Sequence, residues 1–418
     1  MDNEQLPKGY KNTEVGLIPE DWEVETLDDI SELTSSKRIF ESDYVSSGVP
    51  FYRGKEISLL NENKKLDEEY FISEEKYNGI KSVFGVPVKN DILITAVGTL
   101  GNIYLVPNNE KFYFKDGNLI WIRNIKKVLP EYLSIQLRRL RNEIINNAIG
   151  SSQKALTIVV LKKQFFPLPP TKAEQTAIAT ALSDADALIN SLEKLIAKKR
   201  NIKQGAMQQL LKPKDGWEVK KLPDLVWFQE GPGVRNSQFT SSGVKLLNGT
   251  NIEDGKLILE KTDRYISENE AFGWYSHFLV DNGDILIACS GVTIDKFEEK
   301  VTVANSTHLP LCMNTSTMRF KIISNALSKR YFFHFLKSKS FKQQIGGKAT
   351  GSAQLNFGPS HVKMVEISLP TFEEQDNIAT ILSDMDAEIS ALESKLEKYR
   401  KVKLGMMQNL LTGKIRLI

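Results

Sequence analysis

The sequence is poor in the residues that staple or catalyse. Among 418 residues only two are cysteine, Cys289 and Cys312. That excludes a disulfide scaffold and favours a reducing compartment. The four histidines, His277, His308, His334 and His361, all fall in the second half, and no pair has metal-ligand spacing. Cys289, His308 and Cys312 form no zinc pattern either, so all six are read as structural residues. Charge of one sign is not in excess: 55 Lys and Arg face 52 Asp and Glu, a formal +3. A nucleic-acid partner therefore requires positive charge gathered locally. The longest apolar runs, such as Ile92 to Val97, are of strand length, far short of a membrane span. Met1 to Tyr10 lacks the basic-then-apolar order of a signal peptide. A soluble, cytoplasmic chain without membrane association is expected. Its length suggests two or three domains, each able to bury a core.

Catalytic signatures are also scarce. No Gly-Lys is followed by Ser or Thr, so the usual phosphate loop is missing. Gly231-Pro232-Gly233 lacks the third glycine of a dinucleotide fingerprint, and there is no Gly-x-Ser-x-Gly elbow. Leu168-Pro169-Pro170-Thr171 lacks the polar first residue and the aromatic last residue of an amino-methyltransferase motif. Glu74-Glu75-Lys76 and Glu298-Glu299-Lys300 fit the Glu-x-Lys end of a nuclease site, but neither has a convincing partner aspartate on a strand. No catalytic residue, metal site or cofactor is assigned to this chain.

What is present is a repeat. Residues 174–211 align without a gap on 374–411, and 21 of the 38 positions are identical. Weaker echoes precede each copy. Asp21-Trp22-Glu23-Val24 matches Gly216-Trp217-Glu218-Val219, and Asn90-Asp91-Ile92-Leu93-Ile94 matches Gly283-Asp284-Ile285-Leu286-Ile287. Gly150-Ser151-Ser152-Gln153 matches Gly351-Ser352-Ala353-Gln354, each 18 residues before a Leu-Pro. The chain reads as one unit of about 200 residues used twice, with pseudo-twofold symmetry expected.

The strongly repeated segments have the pattern of long helices. Thr171 with Glu174, and Thr371 with Glu374, fit capping boxes, and Pro213 and Gly413 mark the ends. With Ala185 and Met385 as intervening positions, apolar residues step by four and three through Ile178, Leu182, Ile189, Leu192 and Ile196, then Leu210, in the first arm, and through Ile378, Leu382, Ile389, Leu392 and Leu396, then Leu410, in the second. That is a coiled-coil seam, and these residues are assigned to helix pairing and subunit docking. Net charge runs from −2 over 171–191 to +6 over 192–214, and from −6 over 372–392 to +4 over 393–414. Each helix suits its own dipole, and two such helices complement each other when antiparallel. A 38-residue helix spans ~57 Å, about 17 base pairs of duplex.

The regions between the arms hold short β-type runs broken by Gly, Asn, Ser and Pro, with helical stretches near Glu131 to Ala148 and Leu327 to Ile345. Each reads as an α+β, β-rich globule. Their polar turns supply candidate DNA contacts. In the first region these are Lys37, Arg38, Arg53, Lys55, Thr99, Asn102, Ser151, Ser152, Gln153 and Lys154. In the second they are Arg235, Asn236, Asn248, Thr250, Asn251, Ser290, Thr293, Lys348, Ser352 and Gln354. Arg, Lys, Asn and Gln bond base edges bidentately, and Ser and Thr assist. Trp22 and Trp217 are expected to pack at the entry to each globule.

The run from Tyr10 to Val24, Gly-Asp-Ile-Leu-Ile at 283–287, the Gly-Ser-x-Gln segments and the Leu-Pro leading to Glu-Gln, in this order and twice, resemble the specificity subunit of type I restriction–modification enzymes. The resemblance implies two tandem target recognition domains separated by two long antiparallel coiled-coil helices. The boundaries it suggests are 1–170, a helix over 171–214, 215–370, and a second helix with its tail over 371–418. It implies a noncatalytic subunit, each domain reading one half of a bipartite site in double-stranded DNA. Two modification subunits would bring S-adenosylmethionine for adenine N6 methylation, and up to two restriction subunits would bring ATP and Mg. Two other readings stand beside it: a self-sufficient nuclease or methyltransferase, and an assembly scaffold that binds no DNA. Residues 10–24 also resemble the linker at Lys212 to Val219, so the chain ends are expected to lie close together.

Overall fold

The computed structural model describes residues 7–62, 64–66, 70–150, 154–346 and 354–417. The chain divides into two units, 1–193 with 395–418, and 194–394. The division therefore cuts both long helices, Lys172–Leu210 and Phe372–Leu410, of 39 residues each. Each unit holds one globule, the first half of the helix that follows it, and the last half of the other helix.

The two globules are built alike. In the first unit one four-stranded sheet has the order 32–34, 119–123, 92–95, 103–105, and in the second the order is 226–230, 317–322, 285–288, 301–303. All pairs in these sheets are antiparallel. The central strands Ile92–Thr95 and Ile285–Ala288 are buried at every position. Both of their faces are covered, so they read as continuous apolar runs rather than as alternation. A second sheet runs 113–114, 49–52, 70–72, 44–45, and its counterpart 311–313, 244–247, 265–266, 239–240. Each contains one parallel pair, Phe51 beside Tyr113 and Lys245 beside Leu311. Trp22 is fully buried, whereas Trp217 is half-buried against its core.

The repeated Asp of the Asp-Ile-Leu-Ile echo has a structural task. Asp91 accepts from the Val88 N–H (3.0 Å) and from Trp121 Nε1 (2.8 Å). Asp284 accepts from the Asp281 N–H (2.9 Å) and pairs with buried Arg319 at 3.2 Å. Each aspartate ties the turn before one strand to the strand beside it. The expected late helices are each split in two, Pro130–Arg139 with Arg141–Asn146, and Lys329–Leu336 with Lys339–Gly346. Ile144 and Phe341, on the second piece of each, lie in the cores.

The arms pair antiparallel inside each unit. Glu193 meets Arg400 at 2.7 Å and Asp186 meets Lys403 at 2.5 Å in the first unit. In the second, Arg200 meets Glu393 at 2.6 Å and Lys203 meets Asp386 at 2.5 Å. The two sets differ by 200 in every number. Ile189, Leu192, Ile196, Ile389 and Leu396 are buried as a seam requires, and Leu392 is half-buried. The ends of the arms depart from expectation. Ile178, Leu182 and Leu410 lie in the first globule's core, Ile378 and Leu382 in the second's, and Leu210 packs against that core. Their side chains pack with the globules rather than with the opposite arm alone. The capping boxes are half formed. Thr171 and Thr371 cap Glu174 and Glu374 N–H at 3.2 Å, but the carboxylates turn away to Arg416 and Lys214.

Those two cations mark equivalent joints. Lys214 lies over the Trp217 ring and pairs with Glu374 at 3.0 Å, in continuous chain. Arg416 lies over the Trp22 ring, pairs with buried Glu174 and holds Asp21 at 2.9 Å. Tyr10 donates to the Gly413 carbonyl at 3.3 Å. Tyr10 and Asp21 thus meet Gly413 and Arg416 within the first unit, as the resemblance of residues 10–24 to the 212–219 linker leads one to expect.

Candidate nucleic-acid interface

In each unit four polar turns converge where the two sheets meet. In the first unit Arg38 Nε pairs with Asp116 (2.8 Å), the Lys37 N–H bonds Tyr113, and the Ser35 hydroxyl accepts from the Gly117 N–H. The Lys115 N–H reaches the Tyr52 carbonyl, and the Ala96 N–H the Asn118 carbonyl. These bonds gather residues 35–38, 53–55, 96–102 and 115–118. In the second unit Gly231 lies so close to Asn314 that a Cβ would stand 2.3 Å from its carbonyl oxygen, so only glycine fits. Asn314 Nδ2 donates to Asn248 Oδ1 at 3.0 Å, and the Gly249 N–H to Ser316 Oγ at 2.9 Å. Residues 231–236, 248–251, 290–293 and 314–316 are thus brought together.

The second cluster encloses a cleft of about 450 Å³. Four expected residues line it, Asn248, Thr250, Asn251 and Ser290. Thr262, Asp263, Arg264, Asn314, Thr315 and Ser316, outside those expectations, line it too. The polar tripeptide Asn314-Thr315-Ser316 between two strand-like runs was a visible signal. Asp263 and Arg264 carried none, because a charged pair in a loop is ordinary.

Several expected contacts are already committed elsewhere. Arg53 forks onto Glu56 at 2.8 and 3.1 Å and lies over the Tyr70 ring. Burial would raise Glu56, but this guanidinium pulls it below its usual range and raises Arg53 in turn. Asn102 donates to Ser58 and bonds Thr95 and Arg141. Asn251 is 4% exposed and accepts from the Asn248 N–H. In the chain by itself these three hold the turns in shape. Ser290 donates to Asn356, and Asn248 has one amide oxygen bond to Asn314. Lys37 rests its ammonium over the Phe84 ring at 4.2 Å. Lys55, Thr99, Lys154, Arg235, Asn236, Thr250 and Thr293 are exposed. Gln354 stands opposite Thr293 in a two-stranded ribbon. Ser151, Ser152, Gln153, Lys348 and Ser352 lie outside the described residues.

The cysteines and histidines act inside the fold. Burial pushes the thiols of Cys289 and Cys312 up to about 12 and about 11. His308 and His361 accept turn N–H groups through Nδ1, and His277 stacks on Phe278. His334 is 1% exposed and faces Ser383 at 3.0 Å, with Nδ1 unpartnered. Glu74, of the first Glu-Glu-Lys triple, pairs with Lys111 at 2.8 Å. Among the described residues no group of three or more His, Cys, Asp or Glu is gathered to hold a metal, and no helix is long and apolar enough to cross a membrane.

A sequence profile described as type I restriction modification DNA specificity domain matches residues 19–204 and again 214–399. The chain belongs to the type I restriction–modification DNA specificity family. It is 26% identical to the MjaVIII specificity subunit of Methanocaldococcus jannaschii, over 96% of this chain and 94% of that one. It is 27% identical to the putative MjaX specificity subunit of the same organism, over 98% and 97%. In fold it resembles the S subunit crystal structure from M. genitalium, with TM-score 0.55, 15% identity, and 93% and 96% coverage. A chain from a structure of type I R-M complex assembly matches with TM-score 0.57, 15% identity, and 95% and 99% coverage. The chain is thus a specificity subunit with two DNA specificity domains, and the repeat found in the sequence is the repeat of that domain.

Proposed function

We propose that each unit reads one half of a bipartite DNA site through its converging turns, without catalysing any reaction itself. The reading domains extend over 1–170 and 215–370, with the arms at 171–214 and 371–418. The arms set the gap between half-sites and dock two methyltransferase subunits. Those subunits bring S-adenosylmethionine and methylate adenine N6; restriction subunits, where they join, bring ATP and Mg. The observation that carries this reading is the contrast within the repeat. The sheet order and the arms recur, whereas the turns differ, with Lys37, Arg38 and Lys55 in one cluster and Asn248, Thr250 and Ser290 in the other. A shared scaffold suits a shared partner, and unlike turns suit unlike sequences.

The test is to insert one helical turn into both arms and map the methylated motif in cells carrying the modification subunit. A longer gap between unchanged half-sites is expected. An unchanged gap removes the ruler role, and altered half-sites remove the separation of arm from reader.

A further inference from the structure

The polar turns leave unexplained an aromatic projection beside them. Trp274 is 86% exposed and Phe272 is 56% exposed. Single exposed apolar residues are ordinary, but these two flank one glycine at a turn that is held from both sides. The helix Glu268–Phe272 is capped by Ser267 and seated by fully buried Ala271. Gly273 closes on the Asn269 carbonyl so tightly that a Cβ would lie 2.5 Å from it. Gln238 donates to Glu270 at 2.9 Å and to the Tyr275 hydroxyl at 3.1 Å. One amide thereby clamps the residues on either side of Phe272-Gly273-Trp274. The same Gln238 accepts from the Arg235 N–H at 3.0 Å, which makes the projection continuous with a turn of the reading cluster. Arg264, lying over the Phe239 ring beside that turn, also lines the cleft.

The first unit carries a muted counterpart. Its helix Glu74–Phe84 ends in Phe84-Gly85, and Lys37 of its own reading cluster covers the Phe84 ring. Both aromatic ends therefore sit at the edge of the polar turns, and in the first unit a cation covers the ring. An exposed aromatic face beside hydrogen-bonding turns matches the chemistry of a nucleobase.

We propose that Trp274, supported by Phe272, is a stacking wedge that meets a base at an opened step of the half-site read by the second unit. This rests on the reading that the second unit binds DNA. The wedge makes the deformability of that step part of the specificity.

The test uses the full chain assembled with its modification subunits, on a duplex carrying the motif mapped in cells. Trp274→Ala should weaken binding about tenfold, leave the mass of the assembly unchanged, and be largely rescued by Trp274→Phe. With 2-aminopurine stepped through the duplex, the fluorescence change on binding should be confined to one step of the second unit's half-site. It should vanish in Trp274→Ala. Wild-type affinity in Trp274→Ala would overturn the wedge. So would loss of modification subunits at unchanged DNA affinity, which would make the projection a protein-docking point. A wild-type assembly showing no preference for the bipartite duplex would bring down the DNA reading, and the wedge with it.

Discussion

The two units fold alike but stabilise equivalent positions by different chemistry. Where Asp91 meets a tryptophan N–H, Asp284 meets a buried guanidinium. Where Ile135 stands on the first unit's helix, His334 stands on the second's, three residues after Tyr132 and Tyr331. Both tyrosines donate to carbonyls of the closing strand, Pro167 and Ser368. Where the second unit joins helix to globule through continuous chain, the first uses Arg416. The comparison teaches that shape has been kept at these positions while the interactions maintaining it have changed. Each unit should therefore respond differently to the same insult.

The largest difference is expected at the aspartates. Asp284→Ala removes the buried carboxylate of Arg319 and leaves it only the exposed Asp281 at 3.8 Å, a loss of about 3 kcal/mol. Asp91→Ala strands a tryptophan N–H and a turn N–H, a loss of about 1–3 kcal/mol. Hydrogen exchange of strand amides 285–288 and 92–95 reads each unit separately. Equal losses would erase the distinction.

Acid should separate the units next. Burial lowers His334 to about 4 from 6.5; Asp386 opposes the shift, while Lys337, Lys203 and Arg330 reinforce it. The unfolded chain therefore takes up a proton below pH 6.5 that the folded chain refuses until about pH 4. Stability falls as pH drops through that window and levels off below it, by about 3 kcal/mol in all. Exchange protection in the second unit should show this slope and His334→Ile should flatten it. A slope unaltered in His334→Ile would assign it to other groups.

The joints give the smallest contrast. Arg416→Ala abandons Glu174, which is 3% exposed, and should cost the first unit about 2 kcal/mol. Lys214→Ala breaks a solvent-exposed pair and should cost the second less than about 1 kcal/mol. Thermal unfolding of the two variants ranks them, and the reverse order would show that the side-chain bridge contributes nothing.

Much of this was legible in the sequence. The 200-residue offset revealed the duplication, and the four-three spacing revealed the arms to within a few residues at each end. Ile92–Thr95 and Ile285–Ala288 stood out as strands because burial on both faces leaves no polar alternation. The reading clusters were only half legible. Thr250 and Ser290 stand out in the sequence because polar turns attract notice, and the fold brings them to one cleft. The intramolecular partners of Arg53, Asn102 and Asn251, namely Glu56, Ser58 and the Asn248 N–H, were not legible, because they depend on how the turns fold back. Trp274 passed unnoticed because exposure is invisible in composition.

The sequence by itself determined the repeat, the helical arms, their complementary charges and the family. Those properties follow from periodicity and local pairing, which are written along the chain. Only the tertiary structure decided which polar residues face outward, which seam positions belong to a globule's core, and how Arg416 closes the first unit. Each of these depends on side chains brought together across tens to hundreds of residues, and no local pattern encodes which of several possible partners a side chain meets.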